Sequence, residues 1–146
     1  MPNSGANDQK GDIKLDKYLI DDKFTNTASY SIKVETLNKI TAEAYNVNRE
    51  PLLIMQFRKH IINGYPDEWI LVPYILLDAD FEEQSVTAKS TMLSAQMANR
   101  IYKKGLLAEK DPGLTYVFHK VAIGVANKWH LLPLKDLKER GFFDAN

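Results

Sequence analysis

The chain contains no cysteine, which excludes disulfides, thiolate metal sites and thiol catalysis and is compatible with a reducing cytosol. It also lacks any apolar run approaching the roughly 20 residues of a membrane-spanning helix. The longest candidate, around Trp69 to Leu77, is interrupted by Pro73. The amino end, Met1 to Asn7, has no charged segment followed by an apolar one, so no signal peptide is expected. Net charge is missing too, because 19 Lys+Arg balance 19 Asp+Glu. That argues against a large, uniformly basic surface of the kind phosphate contact usually leaves, although a basic groove can coexist with an acidic remainder. The seven glycines are scattered, so no phosphate-cradling loop of the Walker or Rossmann type is present. His60, His119 and His130 lack metal-ligand spacing and read as surface or partly buried residues. What is left is a 146-residue chain, 45% hydrophobic and 26% charged, sized for one compact α/β domain with a real core. A cytoplasmic protein without membrane contact is expected.

Residues 1 to 11 are small and polar and read as an arm or loop. Gly11 to Thr25 reads as two short strands reversing at Asp16-Lys17, which puts Ile13, Leu15, Tyr18, Ile20 and Phe24 on one face. Val34, Leu37, Ile40 and Ala44 recur at helical spacing, predicting a helix over Ser31 to Ala44 with Ser31 as its N-cap. Pro51 to Phe57 reads as a buried strand. Residues 58 to 67, with Gly64 and Pro66, read as a loop, and Glu68 to Pro73 as the returning strand.

The second half repeats this plan. Ser29 and Ser90, Ile32 and Leu93, Pro51 and Pro112, and Phe57 and Phe118 are each 61 residues apart. Trp69 and Trp129, and Pro73 and Pro133, are 60 apart. An internal duplication of a helix-plus-hairpin unit follows, with unit one at about 12–77 and unit two at about 80–140 of a single domain. Two such units are expected to share one sheet or to pack face to face.

The chemistry concentrates near the amino end. In a hairpin turning at Asp16-Lys17, Asp12 lies opposite Asp21, with Cβ atoms about 4.5–5.5 Å apart. Two bare carboxylates there repel, and a divalent cation reverses that term. Lys23 follows Asp21 by two residues and so shares its face. The Asp22 side chain points away, but its backbone carbonyl could reach the metal. Magnesium, with manganese as substitute, suits oxygen ligands and keeps waters that can attack a phosphodiester. Lys23 would orient that water or stabilise charge on the phosphate.

The run Pro2-Asn-Ser-Gly-Ala6, then Lys10-Gly-Asp-Ile13, Leu19-Ile-Asp-Asp-Lys23, Thr25, Ser29 and Leu37-Asn-Lys-Ile40, resembles the PD-(D/E)XK nuclease superfamily. Within it, the likeness is to phage-encoded endonucleases similar to Holliday-junction resolvases. It covers residues 2 to about 73, and more loosely Lys89-Ser90 and Trp129 to Leu137. The resemblance implies a restriction-endonuclease-like mixed sheet flanked by helices, with Asp12 and Asp21 as metal ligands and Lys23 as the catalytic lysine. Family members usually carry Glu where this chain has Asp21. Ser4 and Gly5 are implied near the site, and Lys10, Ser29, Arg100, Lys103 and Lys104 are further candidate DNA contacts. Adding 61 to Asp21 and Lys23 gives Glu82 and Gln84, so the second unit is expected to lack the constellation.

The expected function is therefore magnesium-dependent cleavage of branched or junction DNA by a homodimer, in the host cytoplasm if the protein is phage-encoded. The rival is an inactive nuclease-fold protein that binds DNA or serves as a phage structural or accessory component, and a third possibility is a nuclease acting on RNA or single strands. Arg58-Lys59-His60 and Arg100 to Lys104 are the best basic patches, the second on a predicted helix. Trp69 and Trp129 sit in apolar strands and read as core. Lys135 to Arg140 alternates charge and reads as an exposed helix.

Overall fold

The computed structural model describes residues 16–78, 85–88, 90–118 and 127–144. Unit one runs β1 (Tyr18–Thr25), β2 (Ser29–Lys33), α1 (Val34–Asn46), β3 (Glu50–Phe57) and β4 (Glu68–Pro73), followed by a 3-10 turn at Tyr74–Leu76. Unit two runs β5 (Ser85–Ala88), β6 (Ser90–Ser94), α2 (Ala95–Ala108), β7 (Leu114–Phe118), β8 (Lys128–Pro133) and α3 (Leu134–Glu139). The same order of elements occurs twice.

Six strands form one mixed sheet in the order β1-β3-β4-β8-β7-β5, and β2 pairs with β6 in a separate two-stranded sheet. β1 runs parallel to β3, and β5 parallel to β7. The remaining neighbours are antiparallel. Read from either edge, the large sheet presents the same succession of strands. The shared-sheet alternative is the observed one.

β3 and β4 are apolar at nearly every position because both of their faces are covered. Leu53, Met55, Phe57, Trp69 and Leu71 enter one core layer with Leu37 and Ile40 of α1 and Ala98 and Ile101 of α2. Leu52, Ile54, Ile70 and Val72 enter the other, with Leu134 and Leu137 of α3. Trp69 and Trp129 are both fully buried, as their strands predict. Each such side chain contributes about 1.5–3 kcal/mol on leaving water.

α1 buries Val34, Leu37, Ile40 and Ala44, the stripe read from the sequence. Its start differs. Ser31 is not a cap but lies inside β2, and Lys33 takes the N-cap position without a side-chain hydrogen bond. The cause is non-local, since β2 exists by pairing with β6 sixty residues on, Ser31 facing Met92. α2 begins with a true cap, where the Met97 amide donates to Ser94 Oγ at 3.0 Å. Each helix is stopped by a left-handed residue, Asn48 at φ 59° and Glu109 at φ 53°. These two also stand 61 apart.

β1 corrects a second expectation. Tyr18 and Ile20 pack into the α3 layer, but Phe24 is 58% exposed. Its ring is covered by the Arg58 guanidinium, 3.8 Å from the centroid, rather than by core. Asp16 and Lys17 form a turn, while the strand expected before them lies outside the described residues. His130, expected at the surface or partly buried, is only 6% exposed. Its Nδ1 is 3.0 Å from Thr115 Oγ1, so a polar partner makes the burial tolerable. Among the described residues no helix is long and apolar enough to cross a membrane.

Candidate functional site

β1 stands at one end of the large sheet. Its alternation sends Leu19, Asp21 and Lys23 to the face covered by α1 and turns Asp22 to the other. Asp21 Oδ2 lies 3.4 Å from Lys23 Nζ, with the lysine side chain 42% and the aspartate 33% exposed. Such a half-exposed ion pair adds little to stability and can exchange its partners for a ligand. The shared face of Asp21 and Lys23 was legible in the two-residue spacing. Asp22, exposed on the opposite face, can contribute only its main chain.

Across from this pair, α1 presents Thr36, Lys39 and Glu43, one stripe of the helix. With Leu19 and Ile40 beneath, they enclose a groove of about 370 Å³. Tyr30 of β2 is close enough to register both charges. Burial chiefly raises its pKa, Lys23 lowers it and Asp21 raises it. Its phenol therefore stays protonated at neutral pH and can donate. Tyr30, Thr36, Lys39 and Glu43 were not anticipated. The helical stripe beside the apolar one could have found the three on α1, whereas Tyr30 depends on the unseen β2.

Asp12, Ser4, Gly5 and Lys10 lie outside the described residues. Ser29 opens β2 opposite Ser94, and its carbonyl accepts from Thr27 Oγ1 at 2.9 Å. Arg100, Lys103 and Lys104 are exposed on α2, in the other unit, and do not line the groove.

Among the described residues no three histidine or carboxylate side chains converge into a metal cluster. Asp21 supplies one hard oxygen donor, part-exposed, and Glu43 stands on the same groove. Magnesium keeps several waters and takes only one or two carboxylates in such sites, so this donor chemistry fits it.

The second unit departs from the expected alignment. Phe57 faces Thr25, but its mate Phe118 faces Ala88. β1 therefore corresponds to β5 at an offset of 63 rather than 61, which places Val86 in the register position of Lys23. The position of Asp21 falls on Gln84, outside the described residues, instead of Glu82. The reason is the connection to the next strand. Three residues separate β1 from β2, and one separates β5 from β6.

No protein-family model matches the chain, and no curated protein and no solved structure matches it.

Proposed function

We propose that the protein is a metal-dependent DNA endonuclease with its site on the first unit. The observation that carries this reading is the Asp21–Lys23 pair, on one face of an end strand and open to the α1 groove. Asp21 and Asp12 would hold magnesium or manganese, with the main-chain carbonyl of Asp22. The ion, when bound, supplies Lewis-acid activation of a phosphodiester and of water. Lys23 holds and orients the attacking water or neutralises charge developing on the phosphate. Tyr30, its phenol protonated at neutral pH, stands near enough to feel both charges.

The likeness to junction-resolving nucleases makes branched DNA the preferred substrate. It also makes a restriction-endonuclease-like fold, arising by internal duplication, part of the same reading. The twofold recurrence of elements supports the duplication. With Val86 at the lysine position of unit two, unit one alone holds such a pair among the described residues. Cutting two strands of a junction then calls for two chains, hence a homodimer.

A second reading is a nuclease-fold protein without turnover that binds DNA as an accessory component. It is favoured by α2, which carries three cations and no acid. Incubation with four-way-junction and linear DNA, plus magnesium or manganese, separates the two. Metal-dependent cutting by wild type that Lys23→Ala abolishes supports the enzyme. Equal cutting by both proteins points to a contaminant and removes that reading, and a mobility shift without cutting favours the binding protein.

A further inference from the structure

We propose that α2 and the β3–β4 loop form one phosphate-binding surface that carries the backbone of a nucleic-acid duplex toward Lys23. This rests on the nuclease reading of the Asp21–Lys23 groove and adds to it the route by which substrate is held. The first observation is charge segregation. The whole chain is neutral, yet α2 has Arg100, Lys103 and Lys104 and no acid. Its counterpart α1 has Glu35, Lys39 and Glu43. The packing role is the same in both helices, so packing does not demand the difference.

The second observation is what α2 touches. The loop after β3 begins Arg58-Lys59-His60, with Asp67 the acid at its far end; the Arg58 guanidinium lies over the Phe24 ring, and Lys59 and His60 are exposed beside it. Asn99 of α2 grips this loop at two points. Its Oδ1 accepts from the Ile62 amide at 3.1 Å, and its Nδ2 donates to the His60 carbonyl at 3.1 Å. Tyr65 and Tyr102 close the same contact, with ring centroids 5.0 Å apart. Arg100 is the next residue after Asn99, and Lys103 lies one helical turn beyond it.

The third observation is backbone geometry. His60 has φ +74°, a left-handed conformation uncommon for a residue with a Cβ. Asn99 donates to the carbonyl of that residue and accepts from the amide two residues on, so the unit-two helix holds the loop just past this turn. The start of the loop is tied to the strand that carries the site. The Arg58 amide donates to the Thr25 carbonyl at 3.0 Å, two residues past Lys23. Hydrogen bonds thus link the lysine's strand, the basic loop and the basic helix in series. A polyanion complements this arrangement, because each phosphate that contacts a cation releases a counterion.

The test measures binding of a labelled four-way DNA junction, and of linear duplex, without divalent metal and over a range of salt. Proteins compared are wild type, Arg100→Glu, Lys103→Glu, the double variant, Asn99→Ala, and Lys17→Glu at the opposite end of β1. The double variant is expected to bind at least tenfold more weakly, with its slope of log K against log salt shallower by about 1.8. Its circular dichroism and melting should match wild type, since both side chains are exposed. Asn99→Ala is expected to weaken binding with little change in slope, and Lys17→Glu to bind as wild type. Wild-type affinity and slope in the double variant would overturn the proposal, even where Lys23→Ala abolishes cutting. Binding lost in the double variant while wild type cuts nothing upholds the surface and removes the nuclease. Failure of wild type to bind either DNA overturns both.

Discussion

Leu71 and Leu131 face each other across β4 and β8, and they also stand 60 residues apart in the chain. Residues that are both register partners and repeat mates mark a two-fold axis. Ser31 and Met92, 61 apart, do the same across β2 and β6. One rotation therefore exchanges the units through both sheets.

Because Leu71 and Leu131 are fully buried on that axis, truncating either to alanine is expected to cost about 2–5 kcal/mol. The two should not act independently. Facing side chains share one cavity, so the double variant is expected to deviate from the sum by about 0.5–3 kcal/mol. Urea unfolding of the four proteins measures this term, and strict additivity would show that the units do not meet there.

Asp21→Asn and Lys23→Ala should change unfolding free energy by no more than about 0.5 kcal/mol, because the pair is part-exposed and lies off the core. The same substitutions are expected to reduce metal-dependent cleavage by about 100-fold or more. Denaturation and single-turnover cleavage on the same samples check both halves. A large loss of stability would assign the pair a structural role instead.

Tyr116 carries a buried hydroxyl without a hydrogen bond of good geometry. Burial pushes its pKa up to about 12, offset slightly by the nearby Thr91 hydroxyl. The unfolded phenol ionises near 10 while the folded one holds its proton, so stability is full below pH 10 and falls as pH rises toward 12. The loss across that window is about 3 kcal/mol. Tyr116→Phe is expected to flatten this fall and to be neutral or slightly stabilising at pH 7, since it removes an unsatisfied buried group. Unfolding midpoints from pH 8 to 12 give the comparison.

Thr115→Val removes the buried hydroxyl that meets His130 Nδ1 between β7 and β8. A destabilisation of about 0.5–1.5 kcal/mol is expected, the net worth of the one buried hydrogen bond removed. His130→Leu in the Thr115→Val background should recover part of it by making the site apolar. Chemical denaturation of the single and double variants tests this, and a harmless Thr115→Val would mean the histidine does not depend on that contact.

Local pattern carried much of the architecture. The apolar runs of β3 and β4, the loop between them and the buried stripe of α1 are all written in short stretches of chain. The tryptophan spacing matches strands β4 and β8, which hold like places in the order of elements. β2 was not legible, because Ser29 to Lys33 becomes a strand only against a segment sixty residues later. For the same reason Ser31, a helix cap by local pattern, is a strand residue, and nothing local marks Tyr30 as a neighbour of the candidate site. Spacing did locate Asp21 and Lys23 on one face, since two-residue periodicity is a property of the strand itself. It could not say that α1 would form the opposite wall. The mismatch between Glu82 and Gln84 and the observed register came from counting along the chain across a connection whose length had changed.

That shortened connection, one residue between β5 and β6 against three between β1 and β2, drops an even number of positions. An odd difference would have put the alternation of β5 out of phase with that of β1. An even one slides the strand along itself while preserving its inside and its outside. The fold thus contains a silent gear: the residue at a given register position of the end strand can differ between the halves while the strand's alternation stays in phase.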